Sequence, residues 1–158
     1  MDAEARVLAD LARDRLILEV GSWLGRSTVA LARAARKVVA VDHHHGPPYD
    51  GEGSTLIRFL RNLELHELRN VVPILASSDD ALPLLDRGFQ MAFIDGNHEP
   101  EPAMRDGRGA YMLLRYNCPL VFHDYDAHQG VNTAVDELAK RWNRKIERPA
   151  ESLAVIWK

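Results

Sequence analysis

The chain predicts an α/β fold, a doubly wound and mostly parallel sheet that ends in a C-terminal antiparallel hairpin strand. Short apolar runs alternate with helical patterns from end to end, which is how a parallel sheet covered by helices is written. The first run, Leu16 to Val20, leads into Gly21-Ser22-Trp23-Leu24-Gly25-Arg26-Ser27 and then into a helix, a glycine turn at the carboxyl end of a strand. The last two runs, Lys145 to Arg148 and Leu153 to Trp157, are joined only by Pro149-Ala150-Glu151-Ser152, too short a link for a parallel crossover.

The elements follow in order. Val7, Leu8 and Leu11 at helical spacing predict an opening helix over Ala3 to Arg13, ahead of strand one at Leu16 to Val20. Its helix is expected from Arg26 to Arg36, and strand two from Lys37 to Val41, closed by Asp42. The segment His43-His44-His45-Gly46-Pro47-Pro48 holds too many breakers to be regular, and is expected to be an exposed loop. Ser54 is the expected cap of a helix carrying Leu56, Phe59, Leu60 and Leu63 as one stripe. Strand three is Val71 to Ala76, and Ser77, Ser78 and Asp79 offer caps for a short helix through Leu85. Strand four is Gln90 to Ile94, ending at Asp95. Pro100 and Pro102 suit the first turn of a helix reaching about Arg115, in which Gly107 and Gly109 are weak points unless something packs close to them. Strand five, Pro119 to Phe122, ends in His123-Asp124, and a helix from Val131 to Trp142 precedes the hairpin.

Composition narrows the function classes. Residues 1–158 are expected to form one domain, and 46% apolar with 27% charged residues is ordinary for a soluble protein. A net charge of −3 gives no basic footprint for nucleic acid. The single cysteine, Cys118, excludes an internal disulfide, fits a cytoplasmic protein and is read as a buried small hydrophobe. Neither a secretory signal nor an apolar run long enough to span a membrane is present, so no membrane partner is expected.

Glu19, Asp42, Ser77, Asp95 and Asp124 stand at the carboxyl ends of successive strands, which in an open α/β sheet line one ligand crevice. Asp42 follows Gly21 by 21 residues, where a carboxylate can accept both hydroxyls of an adenosine ribose. Trp23 occupies the place of the middle glycine of a dinucleotide motif, and its bulk hinders a pyrophosphate. An adenosine cofactor without pyrophosphate fits better, which points to S-adenosylmethionine.

The motifs Glu19-Val20-Gly21-Ser22-Trp23-Leu24-Gly25-Arg26-Ser27, Val41-Asp42, Phe93-Ile94-Asp95-Gly96-Asn97-His98 with Asp106 downstream, and Phe122-His123-Asp124-Tyr125 together resemble the class I S-adenosylmethionine-dependent methyltransferases. The resemblance is to the small-molecule O-methyltransferases that include macrocin O-methyltransferase and the cephalosporin-hydroxylase-like proteins. It implies their Rossmann-like fold and a cytoplasmic enzyme that methylates a hydroxyl of a small-molecule acceptor, with a homo-oligomer left open. Glu19, Gly21, Ser22 and Ser27, with Gly25 at the helix start, would surround the methionine portion of the cofactor. Asp42 would hold the ribose, His43 would lie near the adenine edge, and Ser77, Ser78 and Asp79 would lie beside the adenine. Asp95 would sit between cofactor and acceptor.

His98 would be the general base, since imidazole has the basicity to take a hydroxyl proton near neutral pH; a loop histidine bonded to backbone is the competing reading. Asp95, Asp124 and His123 would hold a divalent ion that stabilises the forming alkoxide or phenolate. Magnesium prefers oxygen, so a histidine at 123 opens the choice to manganese or another nitrogen-tolerant ion. An Asp124 that merely caps a turn is the alternative. Asp106 is expected to bond a neighbouring backbone or arginine, Trp142 and Trp157 to be core residues, and His43 to His45 to hold no separate metal. Two rival functions stay open: a non-catalytic cofactor-fold accessory protein, and an NAD-dependent oxidoreductase.

Overall fold

A computed structural model describes residues 3–46 and 55–158. The expected cap Ser54 and the Pro47-Pro48 end of the histidine loop lie outside the described residues. The elements are α1 (Ala3–Ala12), β1 (Leu16–Val20), α2 (Arg26–Ala32), β2 (Lys37–Asp42), α3 (Thr55–Leu65), β3 (Val71–Leu75), α4 (Ser78–Ala81) with a 3-10 turn at Leu82–Leu84, β4 (Met91–Ile94), α5 (Pro100–Leu113), β5 (Pro119–Phe122), α6 (Gln129–Trp142), β6 (Ile146–Ala150) and β7 (Leu153–Trp157). The strands form one sheet in the order β3-β2-β1-β4-β5-β7-β6, parallel through β5, with β7 antiparallel to β5 and to β6. This is the class I methyltransferase architecture that the sequence predicts.

Each face of the sheet buries its own apolar layer. Ile17, Val38, Phe93 and Val121 face Leu8, Leu31 and Phe59 of the first three helices. Leu18, Val20, Ile94 and Phe122 face Leu82 and the buried sides of α5 and α6. Strands buried on both sides read as continuous apolar runs, which is why β1, β4 and β5 are legible without alternation. The two glycines of α5 are contact points. A Cβ on Gly107 would stand 2.6 Å from Phe122 Cζ and 2.7 Å from Leu138 Cδ1, and one on Gly109 would stand 2.8 Å from Leu82 Cδ1. Gly107→Ala therefore gains helix propensity but overpacks the α5–α6 contact, and a net loss of about 1–3 kcal/mol is expected in urea unfolding.

Several boundaries shift for identifiable reasons. Helix α2 stops at Ala32 instead of Arg36, because the Arg36 N–H leaves to bond Arg15 O at 3.0 Å. Helix α5 stops at Leu113, because the Arg115 N–H bonds Phe89 O at 2.9 Å beside the Phe89–Leu114 bridge. The hairpin turn is shorter than expected: Pro149 and Ala150 belong to β6, where an edge strand tolerates proline, and Glu151-Ser152 make the turn. Trp142 and Trp157 sit at the core's margin, Trp142 stacked on Tyr111 at 3.8 Å and Trp157 donating to Glu147 at 2.9 Å. Cys118 is half-buried. No helix among the described residues is long and apolar enough to cross a membrane.

The register decides where the site lies. Val20 pairs with Val41 and Ile94, and Ile94 with Phe122, so β1, β2, β4 and β5 end level. The ladder continues one step past the strands: Gly21 N–H bonds Val41 O at 2.9 Å, Asp95 N–H bonds Val20 O at 2.8 Å, and His123 N–H bonds Ile94 O at 3.0 Å. Strand order reverses between β1 and β4, where a crevice opens beyond the strand ends.

Candidate active site

A cavity of about 630 Å³ occupies that crevice. Such a volume accommodates a nucleoside-sized ligand with a small acceptor. Its walls include Gly21, Ser22, Ser27, Asp42, His43, Ser77, Ser78, Asp79, Asp95, His98, His123 and Asp124, so most residues singled out from the sequence meet in one space.

At the first strand tip, Gly21 adopts φ +85°, and a Cβ there would lie 2.2 Å from Asp95 O. Glycine is required both by the backbone angle and by the approach of β4's end. Asp42 turns toward this glycine turn. Its Oδ2 accepts from the N–H groups of Ser22 (2.9 Å) and Trp23 (2.7 Å), and Oδ1 from that of His44 (2.7 Å). Three of about four acceptor positions on the carboxylate are thereby used, leaving room for one ribose hydroxyl where two were expected. The Ser22 hydroxyl is buried on the cavity wall and has no partner. An unmatched donor in such a place fits a ligand atom that supplies the missing bond.

Two expected cofactor contacts are displaced. Glu19 is fully buried and is not on the cavity wall: strand alternation turns it to the face beneath α2, where it accepts from Ser27 Oγ and Thr28 Oγ1, both at 2.6 Å. Burial pushes its carboxyl up to about 7, against the two hydroxyl donors that lower it. Gly25, at φ +90°, is also off the wall; a Cβ there would stand 3.0 Å from Phe59 Cδ2, so it serves the packing of α2 on α3.

At the end of the cavity beside β3, Ser77 caps α4, accepting from Asp80 N–H at 3.2 Å. Ser78 donates to Asp106 at 2.5 Å, so Asp106, itself on the cavity wall, bonds a serine hydroxyl where backbone or arginine was expected. Asp79 pairs with Arg105 at 3.2 Å. His43 is half-exposed on the wall, but His44 is buried, with its carbonyl accepting from Thr55 Oγ1 at 2.9 Å. The histidine loop is therefore not uniformly exposed. No histidine of 43–45 joins a metal-competent cluster among the described residues.

The end of the cavity at the β4 and β5 tips is a knot of charge. His123 Nδ1 lies 3.1 Å from Asp95 Oδ1 and 3.2 Å from Asp124 Oδ1, while Nε2 lies 2.7 Å from Glu4 Oε1. Burial would lower this imidazole, but the Asp95 hydrogen bond and the Asp95, Asp124 and Glu4 charges lift it to about 9. Burial likewise would raise Asp95, and its histidine neighbours, His123 first, hold it below the usual carboxylate range. His98 Nε2 is buried, 3.2 Å from Asp124 Oδ2 and 4.0 Å from Asp95 Oδ1, without a hydrogen bond of acceptable geometry. Asp95, His123 and Asp124 bring ligand atoms within 4.8 Å of one another, so the expected metal set converges. One nitrogen with two carboxylates fits a divalent ion that tolerates imidazole.

Sequence reasoning missed Glu4, Thr28, Arg105 and His128. Glu4 reaches the cavity from α1, bonding His123 and accepting from Ser152 Oγ at 2.6 Å. Nothing in an amphipathic opening helix marks one surface glutamate as a site residue. Thr28 was legible in principle, since it adjoins Ser27 at the start of α2.

Comparison with known proteins agrees with the architecture. The chain is similar to the O-methyltransferase NovP (18% identity, TM-score 0.77, covering 98% of this chain and 79% of that one). It is similar as well to the O-methyltransferase from Bacillus cereus in complex with SAH (16%, TM-score 0.70, 98% and 78%). An rRNA methylase from Streptococcus thermophilus shares the fold too (17%, TM-score 0.72, 98% and 93%). The family described as "Methyltransferase domain" matches residues 18–125, from β1 through the Asp124-Tyr125 strand tip. With that match spanning more than half of its length, the chain belongs to the methyltransferase-domain family.

Proposed function

We propose that the protein transfers a methyl group from S-adenosylmethionine to a hydroxyl of a small-molecule acceptor. The observation that carries this reading is one cavity with a glycine turn and the Asp42 carboxylate at one end and the His98 imidazole, its Nε2 3.2 Å from Asp124 Oδ2, at the other. Gly21, Ser22, Ser27 and Asp42 would hold the methionine and ribose portions, and His43, Ser77, Ser78 and Asp79 the adenine. Trp23 lines the same space at φ +42°, where a pyrophosphate would need glycine; this supports a cofactor without one over NAD. The acidic net charge argues for a small acceptor over nucleic acid.

Methyl transfer is an in-line displacement: the acceptor oxygen attacks the sulfonium methyl carbon, S-adenosylhomocysteine leaves, and the hydroxyl proton goes to a base. The chain's contribution is to align the two reactants and to take that proton at His98 Nε2, with Asp95 between cofactor and acceptor. A divalent ion at Asp95, His123 and Asp124 would supply charge stabilisation for the alkoxide.

Calorimetry with S-adenosylhomocysteine, followed by transfer from radiolabelled S-adenosylmethionine to a set of phenols and sugars, tests the reading. Micromolar binding and label on a hydroxyl are expected; a folded protein that binds no S-adenosylhomocysteine overturns it. His98→Ala is expected to lower kcat by about 10²–10⁴ with cofactor affinity unchanged within about twofold.

A further inference from the structure

We infer that the sheet edge opposite the cavity binds single-stranded nucleic acid, at a site separate from that of the methyl acceptor. The net charge of −3 is a mean that conceals where the charges lie. The connections at the carboxyl ends of the strands, 21–25, 43–54, 76–77, 95–99, 123–128 and 151–152, contain no lysine or arginine. Those at the other edge, 13–15, 33–36, 66–70, 85–90, 114–118 and 143–145, each carry at least one, opposed only by Asp14, Glu67 and Asp86.

The sheet lines these cations up. Strands β1 to β5 are parallel, and β6 runs the same way because it and β5 both lie antiparallel to β7. Their amino-terminal ends share one edge, on which Arg69, Lys37, Arg15, Arg87, Arg115 and Lys145 follow in strand order, with Lys158 after β7 between the last two. Backbone bonds fix the row, Arg36 N–H to Arg15 O at 3.0 Å and Arg115 N–H to Phe89 O at 2.9 Å. Apart from half-buried Arg15 and Lys158 these side chains are exposed, and none is ion-paired among the described residues. Arg115 reaches across the start of β4, since a Cβ on Gly88 would lie 3.9 Å from its Nε and Nη2. Burial lowers the Lys158 ammonium, and the Arg87 charge lowers it further. Cations gathered in such excess attract a polyanion.

Two features favour a nucleic-acid strand over an anionic bilayer. Tyr116 stands beside Arg115 with 81% of its surface exposed, and Lys158 Nζ lies 5.7 Å from its ring centroid. An exposed aromatic ring in a basic row is a stacking platform for a base. The row is also far from flat. Adjacent strands rotate by about 20–25°, so six steps of about 4.8 Å turn the edge by roughly 120–150° over about 30 Å. A flexible strand follows such a ramp, whereas a bilayer presents its charges in a plane. The cavity lies a strand's length away, about 15 Å, and its acidic rim repels phosphate. Phosphates bound along the row therefore stay out of the cavity, and the inference is independent of methyl transfer.

The test is fluorescence anisotropy of the full chain with labelled oligouridylate and oligothymidylate of about twelve nucleotides, in about 50 to 200 mM KCl. Micromolar binding of either strand is expected at the lowest salt. Arg87→Ala combined with Arg115→Ala is expected to weaken it at least about tenfold and to reduce the salt slope by about 1.4, at about 0.7 per phosphate contact. Tyr116→Ala is expected to weaken it about fivefold or more with the slope unchanged, as loss of one stacked base does. Saturating S-adenosylhomocysteine is expected to leave strand affinity unchanged within about twofold. Ultraviolet cross-linking of the wild type to a bromouridine strand needs no variant, and its adduct is expected on the peptide carrying Tyr116. Absence of strand binding at the lowest salt, displacement by S-adenosylhomocysteine, or adducts confined to the cavity would each overturn the inference. So would a folded Tyr116→Ala that binds as the wild type does, or tighter binding to phosphatidylserine vesicles or poly-L-glutamate than to either strand. Failure of S-adenosylhomocysteine itself to bind removes the methyl-transfer reading and leaves the basic edge as it stands.

Discussion

Gly21→Ala is expected to cost more stability than any other single methyl added among the described glycines on the cavity wall. The alanine would have to hold φ +85°, and its Cβ would meet Asp95 O at 2.2 Å and Gly96 N at 2.6 Å. These are backbone atoms of the adjoining strand tip and cannot swing aside as a side chain could. Relief requires β1 and β4 to part where Asp95 N–H bonds Val20 O at 2.8 Å. Left-handed strain costs about 1–3 kcal/mol and overpacking a similar amount, so a loss of about 3–5 kcal/mol is expected in urea unfolding. Because the same turn presents Ser22 and Trp23 N–H groups to Asp42, binding of S-adenosylhomocysteine should vanish in any fraction that still folds. Gly46→Ala is the control: a Cβ there meets nothing within 4 Å, and a change within about 0.5 kcal/mol is expected. Equal effects of the two substitutions would refute the steric account of the turn.

The strand tips were legible because the sheet forces them to be. Parallel strands in register end together, so a polar residue after each apolar run must fall on one edge. Asp42, Asp95 and Asp124 could therefore be placed together from order alone. What order cannot supply is the direction of a side chain at the tip. Glu19 precedes Val20 on the same strand, and one residue of alternation turns it from the crevice to the face beneath α2. Nor can order show contacts between distant segments. Glu4 meets His123 because α1 lies near the Ser152 turn, and His128 meets His98 because Gly130 lets α6 settle on the β4–α5 loop. In both cases the partner is named by tertiary packing, and each residue alone reads as an ordinary surface group. The family resemblance places functions on His98 and His123, but leaves His128 unmarked.

Glu19 supports the second large expectation, a stability that falls as pH rises through the weakly acidic range. Burial pushes the folded carboxyl from 4.5 up to about 7, so the folded state holds a proton that the unfolded chain has released across that window. Stability rises with pH wherever the unfolded state binds more protons; here the folded state binds more, and the sign is negative. This contribution is fully present below about pH 4.5, declines between about pH 4.5 and 7, and is flat above, with a span of about 3 kcal/mol. The Ser27 and Thr28 hydroxyls, both at 2.6 Å, limit the span by stabilising the carboxylate. Glu19→Gln keeps the shape and can still bond both hydroxyls, one of them now accepting, so it should unfold with a flatter pH profile and be the more stable protein at pH 8. Glu19→Ala should instead be destabilised at every pH, since it leaves a cavity beneath α2 and two hydroxyls with no acceptor. Chemical unfolding of the three proteins between pH 4.5 and 8 decides it. A glutamine variant whose stability follows the wild-type curve would show that Glu19 is not the group that titrates, and would place its charge in the folded protein throughout that range.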